Sequence, residues 1–387
     1  MPPLLPLAAL AVFATAGALL ARAARGVPTA LGAHRRRLRA AAAGSPHATA
    51  GRFANSTPAT IIAAGPGQVA AAVLRRGRAG RPARPVPLVP SGVPGRAGPL
   101  AVTWFGHSSV LVEIDGHRVL ADPMWSERAS PSQRIGPRRL HPAPAPLAAL
   151  PPLDAILISH DHYDHLDVAT VRALVGLTPA PLLVPVGVGA HLSRWGVPAD
   201  RIVELDWERS VTIGDLRVSC VEARHFSGRR LARNTTQWSS WALAGPVHRV
   251  FFGGDTGFHD TLALIGQRHG PFDLTLLPIG AYSHLWPEVH LTPEQAVRAH
   301  LALAGAGGLL VPIHWATFDL GFHGWAEPPT RLRAAAAAAG VRSAVPRPGQ
   351  RVDPNAPTDL PDWWSAVHST ANPQRPGRPR ADRRANS

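Results

Sequence analysis

An α/β architecture is predicted by three features of the chain. From Ala101 to about residue 340, strand-like apolar runs alternate with helix-like runs. Several of those strand runs end abruptly in His or Asp, where a strand emerges into a loop. The 45% apolar fraction supplies enough material for a buried core.

The elements follow in order. "AVTWFGHSSVLVEIDGHRVLADP" alternates apolar and polar residues around Asp115-Gly116, which predicts a hairpin. "DAILIS" reads as a strand and "DVATVRALVGL" as a helix. "PLLVPV" is a strand, and "VGAHLSRWG" a short helix closed by glycine. "LRVSCVEA", "WALAG", "RVFFGG" and "DLTLLPI" are strands. "TPEQAVRAHLALAG" is a helix with proline near its start and glycine at its end. "GLLVPI" is a further strand and "PTRLRAAAAAAG" the last helix.

The flanks differ in texture. Residues 25–100 read as an Arg/Pro/Ala-rich linker, partly disordered, with one short helix inside "ATIIAAGPGQVAAAVLRR". Residues 101–346 form the predicted catalytic domain. Residues 347–387 read as a polar, flexible tail in which Trp363-Trp364 offers a docking point. Residues 1–24 contain an apolar run from Pro2 to Ala21, long enough to cross a bilayer. No arginine precedes that run and several follow it, which favours a membrane anchor with the rest of the chain on the cytoplasmic face. "ARA" at 21–23 keeps a cleaved export signal as the alternative.

Charge is distributed unevenly. All 40 basic residues are arginine, and the formal charge is +15. Before Glu113 there are 13 arginines and no acidic residue, whereas residues 101–341 hold 19 arginines against 21 acids. The basicity therefore lies in the flanks, which suits an anionic membrane surface. A near-neutral core lacks the basic groove that nucleic acid requires. The lone Cys220 excludes a disulfide framework and a cysteine-rich zinc site.

"ISHDHYDHLD" (158–167) places three histidines and three aspartates at the end of an apolar strand run. His160 and His162 are two apart, so in extended backbone they point the same way. Asp164 and His165 follow and can turn toward a second centre. "CVEARH" ends at His225, "RVFFGGD" at Asp255 and "GLLVPIH" at His314. Imidazoles with carboxylates suit zinc, with manganese or iron as alternatives. A pair of divalent cations would offset the cost of crowding these groups together. The glycines of "GGDTG" let the backbone turn sharply around Asp255, and they lack the lysine of a phosphate-binding loop.

Through "HDHYDH", the chain resembles the metallo-β-lactamase superfamily. Within it, the chain is most similar to the group containing N-acylphosphatidylethanolamine-hydrolysing phospholipase D. "TWFGHSSVLVEIDG", "FFGGDTGF", "HLTPEQAVRAH" and "VPIHWATF" carry that likeness, and "GRFANSTP" (51–58) looks like the group's lead-in. The resemblance implies an αββα sandwich with a dinuclear site at the edge of its two sheets. It implies one zinc on His160, His162 and His225, a second on Asp164, His165 and His314, and Asp255 bridging both. Asp164 and Asp255 would orient a bridging hydroxide for attack on phosphorus. Asp122 and Tyr163 match positions near the metals and the substrate head group, Tyr163 as a donor to a phosphate oxygen. His290 matches a histidine near the reaction centre that protonates the leaving group. His107 lies in a shared motif without a derivable role, and His284, His300 and His323 carry none. "HWATF" has alanine at 316 where the group has glycine, and "AYSHLWPEVH" is shorter and differently charged than the matching loop, so the resemblance does not carry the acyl-chain preference over.

The expected activity is thus a phosphodiesterase of phospholipase D type acting on N-acylphosphatidylethanolamine-like lipids. One alternative is a lactone hydrolase using the same metals. Another is a membrane-associated binding protein on a retired hydrolase fold, although no ligand position has been lost.

Overall fold

Leu100, Val102 and Trp104 contribute to one hydrophobic core and Phe105 to another, because successive strand residues face opposite sides of a sheet. The same division runs through Val110/Leu111/Val112, Val119/Leu120/Ala121 and Ala155/Ile156/Leu157. A strand apolar on both faces must be covered on both. The chain satisfies that demand by placing a second sheet on one side and helices on the other.

The structure, a computed structural model, describes residues 15, 17–90, 92–356 and 360–368. In chain order its elements are α1 (Val27–Ala30), α2 (Arg35–Ala42), β1 (Ala48–Thr49), β2 (Arg52–Phe53), α3 (Pro66–Arg76), β3 (Leu100–Gly106), β4 (Ser109–Ile114), β5 (His117–Ala121) and β6 (Ala155–Leu157). Next come α4 (Val168–Leu177), β7 (Leu182–Pro185), α5 (Val188–Arg194), β8 (Ile202–Leu205), β9 (Ser210–Ile213), β10 (Leu216–Val221), β11 (Ser240–Ala244) and β12 (Arg249–Phe252). The chain continues through α6 (Thr261–His269), β13 (Leu274–Pro278), α7 (Pro293–Ala304), β14 (Leu309–Ile313), α8 (Glu327–Ala338), β15 (Arg342–Ser343), β16 (Arg351–Val352) and α9 (Trp363–His368).

The first large sheet has the order β16-β3-β4-β5-β6-β7-β8, and the second β15-β14-β13-β12-β11-β10-β9. Each is antiparallel through its early strands and parallel through β5–β8 or β12–β15. Parallel neighbours require crossover connections; α4, α5, α6, α7 and α8 supply five of the six, and a long loop joins β5 to β6. Val171, Leu174, Val188 and Leu192 of α4 and α5 join the core on the outer face of the first sheet. Ala296, Val297 and Leu303 of α7 pack on the second, where Thr275 of β13 hydrogen-bonds His300 (2.8 Å). The result is an αββα sandwich. The two sheets are also clamped at the β4–β5 turn, where the Asp115 carboxylate accepts bonds from the Val247 and His248 amides (2.9 Å each) and His248 Nδ1 (2.6 Å).

The flanks are more ordered than a linker and a loose tail. Leu38, Ala42, Phe53 and Val86 are buried, and the Ala33 amide donates to His191 Nδ1 (2.9 Å). Widely spaced apolar residues each fill a separate notch, a pattern with no periodicity to announce it. In the predicted tail, β16 pairs with β3, and Trp363 and Trp364 bury against Trp315 (5.4 and 6.2 Å between ring centroids). Residues 369–387 and the first 14 positions, including most of the expected anchor, lie outside the described residues. Among the described residues no helix is long and apolar enough to cross a membrane.

Candidate metal centre and active site

The site is assembled from strand ends. β6 runs through buried Ile158 and Ser159 into His160, and the next turn carries His162, Asp164 and His165. β10 leads to His225, β12 to Asp255 and β14 to His314. The sheets fix these positions, and the loops alone shape the opening. Glycine is required before Asp255. Gly254 has φ +55°, and a Cβ there would lie 2.5 Å from Ser159 Cβ.

Two clusters of ligand-type atoms result. His160, His162, His225 and Asp255 form one, and His107, Asp164, His165 and His314 the other, with Asp255 and His314 also grouped with His290. In the first, His162 Nδ1 lies 2.8 Å from His160 Nε2 and 3.3 Å from His225 Nε2. In the second, Asp164 Oδ2 lies 3.4 Å from both His165 Nε2 and His314 Nε2. Asp255 Oδ2 stands between them: 3.9 Å from His160 Nε2, 3.7 Å from His225 Nε2, 3.2 Å from His165 Nε2 and 3.1 Å from His314 Nε2. Ligands about 2.0–2.1 Å from a tetrahedral ion sit roughly 3.3 Å from one another, so these separations fit divalent cations.

Unsatisfied atoms make the same point. His165 Nε2, His314 Nε2 and Asp255 Oδ1 are buried without a hydrogen-bond partner. Leaving such atoms bare costs several kcal/mol, and a bound cation would satisfy them. Electrostatics agrees. Burial holds His160, His162 and His225 below the ordinary imidazole range, so they present neutral lone pairs. Burial would also lower His165 and His314, but the Asp255 and Asp164 carboxylates raise both, His314 to about 9. Without a metal, protons on these two rings supply the positive charge the carboxylates demand. The residues fit a dinuclear centre.

Supporting groups fix the ring orientations. His225 Nδ1 donates to the Val289 carbonyl (2.8 Å), which leaves Nε2 facing the centre. Asp122 is fully buried. It accepts from His165 Nδ1 (2.7 Å), the Ser159 amide (2.7 Å) and the Ser159 hydroxyl (2.6 Å). Asp122 therefore orients His165 and does not reach a substrate head group. Tyr163 is likewise turned away. Its hydroxyl donates to the Arg229 carbonyl (2.7 Å), and the Arg229 guanidinium stacks on its ring (4.1 Å).

His107 gains a role that the sequence did not reveal. Its Nε2 lies 2.9 Å from Asp164 Oδ2, its carbonyl accepts the His314 amide (2.9 Å), and Trp104 Nε1 donates to that carbonyl (2.7 Å). One residue thus holds the side chain of Asp164 and the backbone of His314. It does so from the left-handed region (φ 52°), as do Asp122 (42°), His314 (61°) and Ala316 (63°). Strained backbone concentrates at this rim, as it does at functional sites generally. Among the positions without an assigned role, His300 is used in helix packing and His323 Nε2 accepts the Ala281 amide (2.9 Å).

A cleft of about 230 Å³ opens over the centre. Its floor is His162, Asp164, Asp255, His290 and His314, and its walls include Ile61, Ile62, Phe226, Trp286, Val289 and Leu320. Arg233 adds a cation at the side. His290 Nδ1 is buried, without a hydrogen-bond partner, 3.9 Å from Asp255 Oδ2, and burial lowers its pKa to about 4.

Comparison with known proteins agrees with this geometry. The family model described as Beta-lactamase superfamily domain matches residues 117–315. A Mycobacterium tuberculosis protein is 57% identical over 354 residues, covering 90% of this chain and 95% of its own length. N-acyl-phosphatidylethanolamine-hydrolyzing phospholipase D 1 of Caenorhabditis elegans is 39% identical over 234 residues, 57% of this chain and 65% of that protein. Among solved structures, a metallo hydrolase from Ignicoccus hospitalis shares the fold, with TM-score 0.51 at 22% identity over 65% of this chain and 97% of its own. The chain belongs to the beta-lactamase superfamily, as a metal-dependent hydrolase resembling N-acylphosphatidylethanolamine-hydrolysing phospholipase D.

Proposed function

We propose that the protein is a dizinc phosphodiesterase of phospholipase D type, acting on N-acylphosphatidylethanolamine-like lipids at a membrane surface. The observation that carries this reading is an apolar-walled cleft set directly over Asp164, Asp255 and His290. A cleft of that make-up suits an amphiphile whose charged ester lies on the floor and whose chain lies along the wall. The phospholipase relative in Caenorhabditis elegans supports the choice of bond. The arginine-rich flank supports an anionic bilayer as the place of work, on the cytoplasmic face.

His160, His162 and His225 would hold one cation, Asp164, His165 and His314 the other, and Asp255 both. Bound there, the cations supply Lewis acidity and lower the pKa of a water molecule. The protein's own groups do the rest. Asp164 and Asp255, which stay ionised, would orient the attacking water, and the proton it loses passes to solvent. The new bond forms between water oxygen and phosphorus, and the phosphorus–oxygen bond to the head-group alcohol breaks. His290 donates a proton to the departing alkoxide. Burial keeps the free imidazole neutral at pH 7; the bound anionic phosphodiester raises its basicity, and the proton it passes on is one it takes up from solvent. Arg233 faces the same cleft and neutralises the phosphoryl charge.

The test is a paired assay of zinc-loaded protein against N-acylated ethanolamine phospholipids and acyl lactones. Release of N-acylethanolamine is the predicted result. Lactone opening with no phosphodiester cleavage would replace this reading by a lactone hydrolase.

A further inference from the structure

Residues 53–63 lie outside the superfamily match, yet they are bonded to the site at both ends. Phe53 is buried, and its amide donates to the Asn234 carbonyl (2.9 Å). Asn55 pairs with the backbone of His225 like a strand neighbour. Its Oδ1 accepts the His225 amide (3.0 Å), and its Nδ2 donates to the His225 carbonyl (2.9 Å). Trp238 Nε1 also donates to Asn55 Oδ1 (3.0 Å), which fixes the amide's orientation. Further on, the Pro58 carbonyl accepts from Arg224, which itself pairs with Glu288 (2.9 Å). The Thr60 amide donates to Glu288 Oε2 (2.6 Å), and the Ala63 amide to the Leu285 carbonyl (2.7 Å).

The segment therefore spans from the end of β10 to the 285–290 loop. That loop carries His290, and it carries the Val289 carbonyl that orients the His225 ring. Between those two anchor points, Ile61 and Ile62 face the cleft. Ile62 is 51% exposed, a large apolar side chain at the cleft mouth that no core packing explains. Folding gains little from such a residue, whereas a ligand chain lying on it would remove its surface from water.

We propose that the 53–63 segment is a working wall of the active site, in which Ile61 and Ile62 select substrates carrying a long apolar chain and Asn55 holds His225 in place. The chain-selecting part rests on the amphiphile reading above, and the Asn55 part is independent of substrate. Isoleucine side chains along a chain-binding wall contribute through area removed from water, so affinity rises with each methylene the wall covers. Asn55 acts as a positioning residue, because it touches backbone and not the reacting atoms.

Calorimetric titration of the full-length, zinc-loaded protein with butylphosphonate and octylphosphonate tests the selection. The unaltered protein binds the octyl compound more tightly. In Ile61→Ser/Ile62→Ser the octyl-to-butyl affinity ratio falls on the order of tenfold. The same ratio in the variant, or no chain-length preference in the unaltered protein, would overturn the proposal. Ile62→Ser alone, at a half-exposed position, provides the same readout where the double variant folds poorly. For Asn55→Ala, zinc titration shows one of two binding events weakened on the order of tenfold, with Asn55→Asp, which keeps the acceptor, intermediate. Two unchanged binding events would remove Asn55 from the account. Phosphonate binding with chain preference but no phosphodiester cleavage would refute the proposed activity and leave the wall intact. Cleavage with an unchanged ratio in the variant would do the reverse.

Discussion

At the residue scale, His107 is the group whose importance rests most on geometry. A carboxylate that would hold a cation and orient water needs a fixed orientation, and His107 Nε2 lies 2.9 Å from Asp164 Oδ2, the same oxygen that faces His165 and His314. Burial, together with the nearby His314 charge, lowers the imidazole to about 3, so at neutral pH it is an uncharged donor. His107→Ala is expected to weaken zinc affinity roughly 10- to 100-fold, with a comparable loss of turnover, measured by competition with a chelating dye. His107→Asn, which keeps a donor, recovers part of both. In the sequence His107 was visible only as part of "GHSS". Its partner Asp164 lies 57 positions away, and no local pattern encodes that contact. The ligand-type residues were legible for the opposite reason: His160, His225, Asp255 and His314 follow apolar runs, and His162, Asp164 and His165 crowd into the turn after the first of them. Tyr163 and Asp122 could be placed near the centre, but the sequence did not show that each turns to a protein partner.

At the element scale, the loops after β12 and β14 show what a rigid sheet imposes on its exits. β14 ends at Ile313, and the chain then reverses through His314 (φ 61°) and Ala316 (φ 63°). Alanine pays a steric penalty in that region that glycine does not, about 1 kcal/mol. Ala316→Gly is therefore expected to raise the unfolding free energy by about 0.5–1 kcal/mol, read from urea denaturation midpoints with the m-value unchanged. No change would mean that unfolded-state entropy cancels the strain. The unusual alanine was legible as a departure from the group's glycine, whereas its left-handed backbone was not. The main strands and helices were readable from periodicity and end signals, such as Pro293 and Gly305 at the two ends of α7. The short β15 and β16 have two residues each, too few for any period to register.

At the scale of the whole molecule, buried charged and polar groups join the N-terminal flank to the sandwich. Asp161 is buried and accepts the Gly228 amide (2.7 Å), with His191 Nε2 at 3.4 Å. His191 in turn accepts the Ala33 amide, and Arg229 donates to the carbonyls of Ala30, Asp161 and Leu166. Burial would raise the Asp161 carboxyl. The neighbouring His191 ring, 3.4 Å away, and the positive charge around the carboxyl, Arg229 included, more than offset it and bring it from 3.8 to about 2. A depressed carboxyl contributes stability that is complete above its unfolded value and lost as pH falls through its folded value. The window is therefore pH 4 down to pH 2, and the contribution about 2 kcal/mol. Asp161→Asn is expected to flatten urea stability against pH in that window, and an unaltered slope would remove Asp161 from the acid response. This connection was hidden in the sequence because residues 25–100 carry arginine, proline and alanine in no regular order. Their docking depends on single residues such as Phe53 filling notches that exist only once the sandwich has formed.

The central claim is that one carboxylate, Asp255, joins two cation sites. Its most direct test is the metal content of protein dialysed against trace zinc, compared with that of Asp255→Ala, with circular dichroism confirming the fold of each. Two divalent ions per chain are expected in the unaltered protein, and the loss of both, or of all tight binding, in the variant. A folded protein that retains no divalent ion, or a variant that keeps both, would contradict it.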